Sequence, residues 1–242
     1  MSAAASLTPE DVKRMNASLA GAHPTEVIRW AVETFRSDVA MTSSFGAESA
    51  CLIHLAIQVD PNISIRMVDT GFLFDETWQF MEQLKQRFRL NVSIFRTQMD
   101  VEQFKKEHAH LPPEHPDYCC GDYKVEAAER ALAGLKCWIA GIRRSQSSTR
   151  ASTPIIDVLA NGMVKVAPIA AWTPKDIHRY MTEHDLPYHP LWHKGYTSIG
   201  CWPCTQKPAD LNDPRSGRWA GQSKIECGIH FIGKPEDKKD PE

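Results

Sequence analysis

Val39-Ala40-Met41-Thr42-Ser43-Ser44-Phe45-Gly46-Ala47-Glu48-Ser49 is the stretch whose reading decides the fold. Its first four residues form a short apolar run of the kind a buried strand needs, and Ser43 to Gly46 supply a small, polar turn. The stretch that begins at Ala47 then repeats apolar residues (Leu52, Leu55, Ala56, Val59) at helical spacing. A strand with no polar face, a tight turn and a helix make half of a βαβ unit, and such strands belong to parallel sheets.

The alternation continues outward from that stretch. Upstream, Thr8-Pro9-Glu10-Asp11 combines an N-cap threonine, a proline at the first helical position and acids in the first turn. A second helix covers residues 25–35. Downstream, strands over 63–68, 91–95 and 137–140 alternate with helices over 75–88 and about 118–132. Asn161-Gly162 signals a hairpin between 155–158 and 163–166, and Thr173-Pro174-Lys175-Asp176 opens another capped helix. The fold class is therefore α/β, an open, mostly parallel sheet covered by helices on both faces. From Pro187 the periodicity fades, so loops held by packing and by metal are expected, and residues 233–242 read as disordered. The reading is one domain over 1–205 and a C-terminal segment over 206–242.

Composition narrows the class. In 242 residues, 42% hydrophobic and 24% charged content are those of a globular protein, and a formal charge of −2 argues against general nucleic-acid binding. No apolar run reaches the length of a membrane span, and Met1 to Gly21 has no secretory h-region but carries Glu10, Asp11, Lys13 and Arg14. A cytoplasmic, reducing setting is expected, where clustered cysteines serve as metal ligands or catalysts rather than disulfides.

There are seven cysteines, and they fall into distinct groups. Cys51 and Cys137 lie in apolar runs and read as core thiols. Cys119 and Cys120 are adjacent, Cys201 and Cys204 form a C-x-x-C, and these four read as one metal site built from two segments. Adjacent ligands suit a single tetrahedral zinc poorly, whereas a cubane offers several irons. A [4Fe–4S] cluster is favoured over zinc, with unligated thiols the remaining alternative. Cys227 stands apart in Glu226-Cys227-Gly228-Ile229-His230, with Lys224 and His230 near it, and reads as a nucleophile of lowered pKa or as an ordinary free thiol.

Three further groups are candidates for a ligand. Ser43, Ser44 and Gly46 sit where an early βα turn presents backbone N–H groups to an anion. Asp69-Thr70-Gly71 ends the next strand and could face a base or ribose; a simple helix cap explains it equally well. Lys124, Arg143, Arg144, Arg150, Arg215 and Arg218 form a cationic set suited to phosphate or sulfate oxygens. Arg143 and Arg144 follow a buried strand directly, and Lys124 falls one helical turn past Cys120.

Taken together, these motifs resemble the assimilatory sulfonucleotide reductases, which act on adenylyl sulfate (APS) or phosphoadenylyl sulfate (PAPS). The likeness runs from about Val39 to His230. It takes in the Ser-Phe-Gly loop, Asp69-Thr70-Gly71 with Leu73-Phe74 and Glu76-Thr77, Gly141-Ile142-Arg143-Arg144-Ser145-Gln146-Ser147, Gly195-Tyr196-Thr197-Ser198-Ile199-Gly200-Cys201 and the terminal Cys227 motif. The resemblance implies an adenine nucleotide alpha-hydrolase-like fold and the cluster-bearing branch, which generally uses APS. It implies Cys119, Cys120, Cys201 and Cys204 as cluster ligands, with Cys227, His230 and Lys124 catalytic. Ser43, Ser44, Gly46, Asp69, Thr70, Gly71, Arg143, Arg144, Arg150, Arg215 and Arg218 would bind substrate.

The implied reaction releases sulfite and AMP through a cysteine S-sulfonate, with thioredoxin or glutaredoxin as reductant, within sulfate assimilation and cysteine biosynthesis. Pro187-Tyr188-His189-Pro190-Leu191-Trp192 and Ser43-Ser44-Phe45-Gly46 look more like the clusterless PAPS reductases, which keeps a PAPS or dual reductase in view. An ATP-pyrophosphatase would want a Ser-Gly-Gly-x-Asp-Ser loop, which Phe45 and Glu48 break. A non-catalytic iron–sulfur sensor leaves Cys227 and the cations unexplained. The sequence leaves a homo-oligomer open.

Overall fold

The computed structural model describes residues 7–98, 102–103, 106, 119–210, 213–222, 224 and 226–232. Residues 233–242, expected to be disordered, lie outside the described residues. In chain order the elements are α1 (Pro9–Ser18), α2 (Pro24–Phe35), β1 (Val39–Thr42), α3 (Ser49–Ile57), β2 (Ile65–Asp69), α4 (Asp75–Phe88) and β3 (Val92–Arg96). They continue with α5 (Glu126–Leu132), β4 (Cys137–Ile139), β5 (Ile156–Val158), β6 (Val164–Val166) and α6 (Pro174–Glu183). The strands form one sheet of order β3-β2-β1-β4-β6-β5, parallel except for β5, which runs against β6. Among the described residues no helix is long and apolar enough to cross a membrane.

The caps read from the sequence form as expected. Thr8 Oγ1 accepts from the Asp11 N–H at 3.2 Å while the Asp11 carboxylate accepts from Thr8 N–H at 3.1 Å. Thr173 and Asp176 repeat this reciprocal pair at 3.2 and 2.9 Å. Apolar side chains then sort by strand parity. Cys137 and Ile139 of β4 face the cluster shared with α2, α3, α4 and α6, while Trp138 and Ala140 face Ala128 and Leu132 of α5. Both faces of the sheet are covered, and the central strands β1 and β4 are accordingly apolar almost throughout, whereas β2 and β6 each carry one basic side chain, Arg66 and Lys165. Cys51 and Cys137 are fully buried, and burial pushes both thiols up, Cys51 to about 12. They are core residues.

The helix expected over 118–132 departs from the expectation. Tyr118 lies outside the described residues, Cys119–Val125 is wound as a π-helix, and regular α-helix begins only at Glu126. At the outer edge of the sheet, α1 lays Asn16 against β5. Its amide nitrogen donates to the Ile156 carbonyl at 2.8 Å, and its amide oxygen accepts from Ile155 and Ile156 N–H at 2.9 and 3.0 Å.

His189 fastens the loop after α6 to α4. It is fully buried, its Nδ1 accepts from the Leu191 N–H at 3.1 Å, and its Nε2 lies 3.0 Å from Thr77 Oγ1. Accepting at Nδ1 makes the ring neutral, with the proton on Nε2 donated to Thr77. Burial drives its pKa down to about 4, against a smaller upward pull from Glu76. An unfolded histidine titrates near 6.5, so the unfolded chain takes up the proton first as pH falls. Stability is therefore intact above pH 6.5 and declines between there and about pH 4. Between pH 7.5 and pH 5 the expected loss is about 2 kcal/mol. Denaturant midpoints for wild type and His189→Gln over that range test this: the variant should show a shallower pH slope, and parallel slopes would remove His189 as the cause.

Candidate active site

The chain leaves β1 to one side for β2 and β3, then returns to place β4 on the other. That reversal opens a crevice beyond the carboxyl ends of β1 and β4, where open parallel sheets bind ligands. The crevice is a cleft of about 300 Å³, at the lower end of small-molecule sites. Thr42, Ser43, Ser44 and Gly46 line it after β1, Thr70 after β2, and Ala140 and Gly141 after β4. Ile199, Gly200 and Cys201 form one wall, and Arg215, Arg218, Trp219, Glu226 and Cys227 bring in the C-terminal segment. Phe45 takes a φ of 47°, a left-handed conformation costly for a bulky residue, and its fully buried ring holds it there. Ser44 and Gly46 on either side are thereby turned to the cleft.

The cationic residues divide by partner. Arg143 gives Nη2 to the Glu48 carboxylate, yet its Nη1 is buried with no partner. Arg218 also keeps a buried, unpartnered Nε; its guanidinium lies 4.6 Å over the Trp219 ring and presses on Gly200, where a Cβ would overlap it. Buried donors of this kind are expensive unless something else completes them. Arg150 and Arg215, by contrast, both hold Glu226.

Three of the expected substrate residues do not reach the cleft. Arg144 is exposed and gives Nε to the Thr153 carbonyl at 2.8 Å. Asp69 is buried, binding Arg96 Nε at 2.6 Å and the Gly71 N–H at 2.8 Å, so its carboxylate shapes the turn after β2. Gly71 supplies the φ of 70° at that turn. Ser43, Ser44, Gly46, Thr70, Arg143, Arg150, Arg215 and Arg218 are brought together.

Cys119, Cys120, Cys201 and Cys204 line a second, smaller cavity with Thr70, Phe72, Lys124, Arg218 and Trp219. The π-helix explains how adjacent cysteines can share it: looser winding rotates successive side chains through a smaller angle, so both stay on one side. The same winding brings Lys124, five residues past Cys119, over the pair. The Cys201–Cys204 loop is stitched between two segments. Trp202 N–H donates to Phe72 at 2.8 Å, and Trp219 N–H to Cys204 at 3.2 Å. Burial first, then the neighbouring sulfurs, raise Cys119 to about 12 and Cys204 to about 11. Such thiols give up their protons readily only to a metal. Among the described residues no three His, Cys, Asp or Glu side chains stand where they would hold a single ion. A cluster spreads its thiolates over several irons, and this donor set, adjacent pair included, is compatible with an iron–sulfur cluster.

Cys227 is buried against that cavity. The Cys120 thiol most of all, then the Lys124 ammonium and the Ile229 N–H, pull its sulfur well below the usual thiol value against the cost of burial. Were Cys120 to bind iron it would no longer donate, leaving Lys124 and Ile229 to stabilise the thiolate. Burial works against charge on Lys124, but the sulfurs of Cys227, Cys201 and Cys120 outweigh it and raise its pKa. Gly228 seats the segment on the π-helix: a Cβ there would come 2.8 Å from Val125 Cγ2 and 3.2 Å from the Cys120 carbonyl. His230 lies by its backbone in the helical turn Gly228–Phe231; its side chain lies outside the described residues.

Two site residues were missed in the sequence, Glu48 and Glu226, both carboxylates that neutralise buried arginines. The signal was available: so many cations at one sheet edge require acids nearby, and both acids stand inside quoted motifs.

An open, mostly parallel sheet with its cleft at the strand reversal makes this a doubly wound α/β protein, and its match to a solved relative places it in the adenine-nucleotide-hydrolase-like class. The Candida auris PAPS reductase, crystallised with phosphate, matches with a TM-score of 0.72 at 29% identity, over 81% of this chain and 97% of its own. Residues 38–207 match the phosphoadenosine phosphosulfate reductase domain, and the chain belongs to that family. A Rhodococcus opacus protein named adenosine 5'-phosphosulfate reductase is 42% identical over 224 residues, covering 88% of this chain and 91% of its own. A Gloeobacter violaceus protein named phosphoadenosine 5'-phosphosulfate reductase is 41% identical over 212 residues, covering 86% and 88%.

Proposed function

We propose that this chain reduces APS to sulfite and AMP, with Cys227 as nucleophile and a dithiol protein of the thioredoxin or glutaredoxin kind as electron donor. The observation that carries the reading is the pair of buried, unpartnered guanidinium donors, Arg143 Nη1 and Arg218 Nε, in the cleft that also holds Cys227. A nucleotide whose phosphate and sulfo oxygens reach those donors would complete them and bring its sulfur to the thiolate. Relatives named APS reductase at 38–42% identity support the substrate.

In the first step the Cys227 thiolate forms a bond to the APS sulfur. The bond from sulfur to the bridging phosphate oxygen breaks, and its electron pair leaves with AMP. Lys124, Arg143, Arg218 and Arg215 would offset the charge crowding on the sulfo and phosphate oxygens, and Ser43, Ser44, Gly46 and Thr70 would orient the nucleotide. We assign His230 to the same stabilising role. In the second step a donor thiolate attacks Cys227 Sγ, the S–SO₃ bond breaks, and its pair leaves as sulfite. The donor's second thiol then attacks the mixed disulfide, releasing Cys227 as a thiolate and leaving the donor as a disulfide, so that the dithiol has given two electrons in all. The segment over 206–242 must close for the first step and open for the second, since Cys227 is buried as it stands.

A [4Fe–4S] cluster on Cys119, Cys120, Cys201 and Cys204 fits the donor set. When bound it would supply fixed charge in the cavity that Lys124 also lines, and would anchor the π-helix that carries Lys124.

The second reading, a PAPS or dual reductase, is favoured by the Gloeobacter and Candida relatives. Anaerobically purified protein assayed with APS and PAPS at matched concentration, with a reduced dithiol protein, separates them. Faster sulfite release from APS is expected, equal or reversed rates would install the second reading, and no release from either would sink both.

A further inference from the structure

Glu226 is almost fully buried beside the proposed nucleophile, and every oxygen of its carboxylate is taken up. Arg150 grips it bidentately, Nε to Oε2 at 2.7 Å and Nη2 to Oε1 at 2.8 Å. Arg215 Nη2 reaches Oε1 at 3.2 Å, and the Cys227 N–H donates to the same oxygen at 2.9 Å. The remaining arm of Arg150, Nη1, is taken by Gln146. Arg150 sits in the helical turn Ser148–Arg150 between β4 and β5, whereas Glu226 belongs to the segment that brings Cys227.

We propose that Glu226 is a positioning residue that docks the nucleophile: its carboxylate latches the C-terminal segment onto Arg150 and holds the Cys227 backbone so that the sulfur faces Lys124. The inference rests on the reading of Cys227 as nucleophile. It gives Arg150, each of whose three nitrogens has a protein partner, the latch as its first role, with one N–H on Nη1 and one on Nη2 left over at the cleft. Arg215 adds a longer bond to the same carboxylate and also lines the cleft. A bidentate guanidinium–carboxylate pair suits a latch because it fixes direction as well as distance, and its cost on breaking falls on both buried charges. Closing the segment therefore forms the pair and aims the sulfur in a single motion.

The test reads the position of the segment without turnover. Cluster-loaded protein is labelled anaerobically with iodoacetamide and, separately, with a bulky maleimide, and modification of the Cys227 peptide is followed by mass spectrometry. The ratio of the two rates cancels any change in thiolate fraction and reports access. Glu226→Gln and Arg150→Gln should each raise the maleimide-to-iodoacetamide ratio at least tenfold, and the double variant should rise no further than either. Arg143→Gln and Arg218→Gln should raise KM and leave the ratio at the wild-type value. In single-turnover assays Glu226→Gln should slow S-sulfonate formation without weakening APS binding. Wild-type ratios in both singles, or a double that multiplies them, would overturn the latch. Should Glu226→Gln fail to fold, Glu226→Asp, one methylene short, carries the same comparison. Absence of any S-sulfonate in the wild type would instead overturn the nucleophile reading, whatever the labelling shows.

Discussion

Replacing Cys227 by serine lowers sulfite formation at least about a thousandfold and leaves no sulfonate on the protein after incubation with APS. The argument is chemical as much as positional. The thiolate is stabilised by the Lys124 ammonium and the Ile229 N–H, which could not ionise a serine hydroxyl to a useful extent in the same place. A serine that did attack would give a sulfate ester, whose oxygen cannot be taken by a dithiol in exchange. Both half-reactions therefore fail together. Intact-mass measurement checks the adduct and a sulfite assay the turnover, with the visible spectrum reporting whether the four-cysteine site survives. Sulfite production at anything near the wild-type rate would end the mechanism.

Lys124→Ala is expected to lower kcat/KM by about a hundred- to a thousandfold while iron content per chain stays constant. The ammonium sits among Cys227, Cys201 and Cys120, so it faces both the proposed nucleophile and the cysteine cavity. Its loss removes a fixed positive charge where an anion must approach an anion. It also removes a donor that keeps Cys227 ionised, so the shortfall should ease as pH rises. None of the four thiols is lost, which is why a cluster held by them should keep its iron. Lys124→Arg restores the charge on a planar, larger group and should recover only part of the rate. Equal kcat/KM for Lys124→Ala and wild type would take Lys124 out of the chemistry.

The architecture was legible because each strand announced itself by an apolar run and each helix by a cap or a period. Thr8 and Thr173 cap the helices they were expected to cap, Asn161-Gly162 turns the expected hairpin, and Val39–Thr42 is the strand first read. What escaped depends on direction rather than residue type. Arg143 and Arg144 are adjacent and equally basic, yet one points into the cleft and the other at the Thr153 carbonyl, a parity that no composition argument supplies. Asp69 looked like a ligand contact and spends its carboxylate on Arg96 and its own turn. The π-helix at Cys119–Val125 is invisible to a reading based on a 3.6-residue period, although the proximity of Lys124 to the cysteines was foreseen. Glu48 and Glu226 stand in the same motifs as Gly46 and Cys227, and it is the fold that brings each to a buried arginine.

Asn16 carries a consequence for the molecule as a neighbour of its own copies. The last strand of an open sheet ordinarily shows a row of bare amides and carbonyls, an invitation for another chain to add itself and start a fibre. Here a single carboxamide from the first helix answers that row, imitating the peptide group of a strand that is not there. On this side the sheet is ended from within, so the boundary against stacking at the β5 edge rests on how firmly one amphipathic helix stays down.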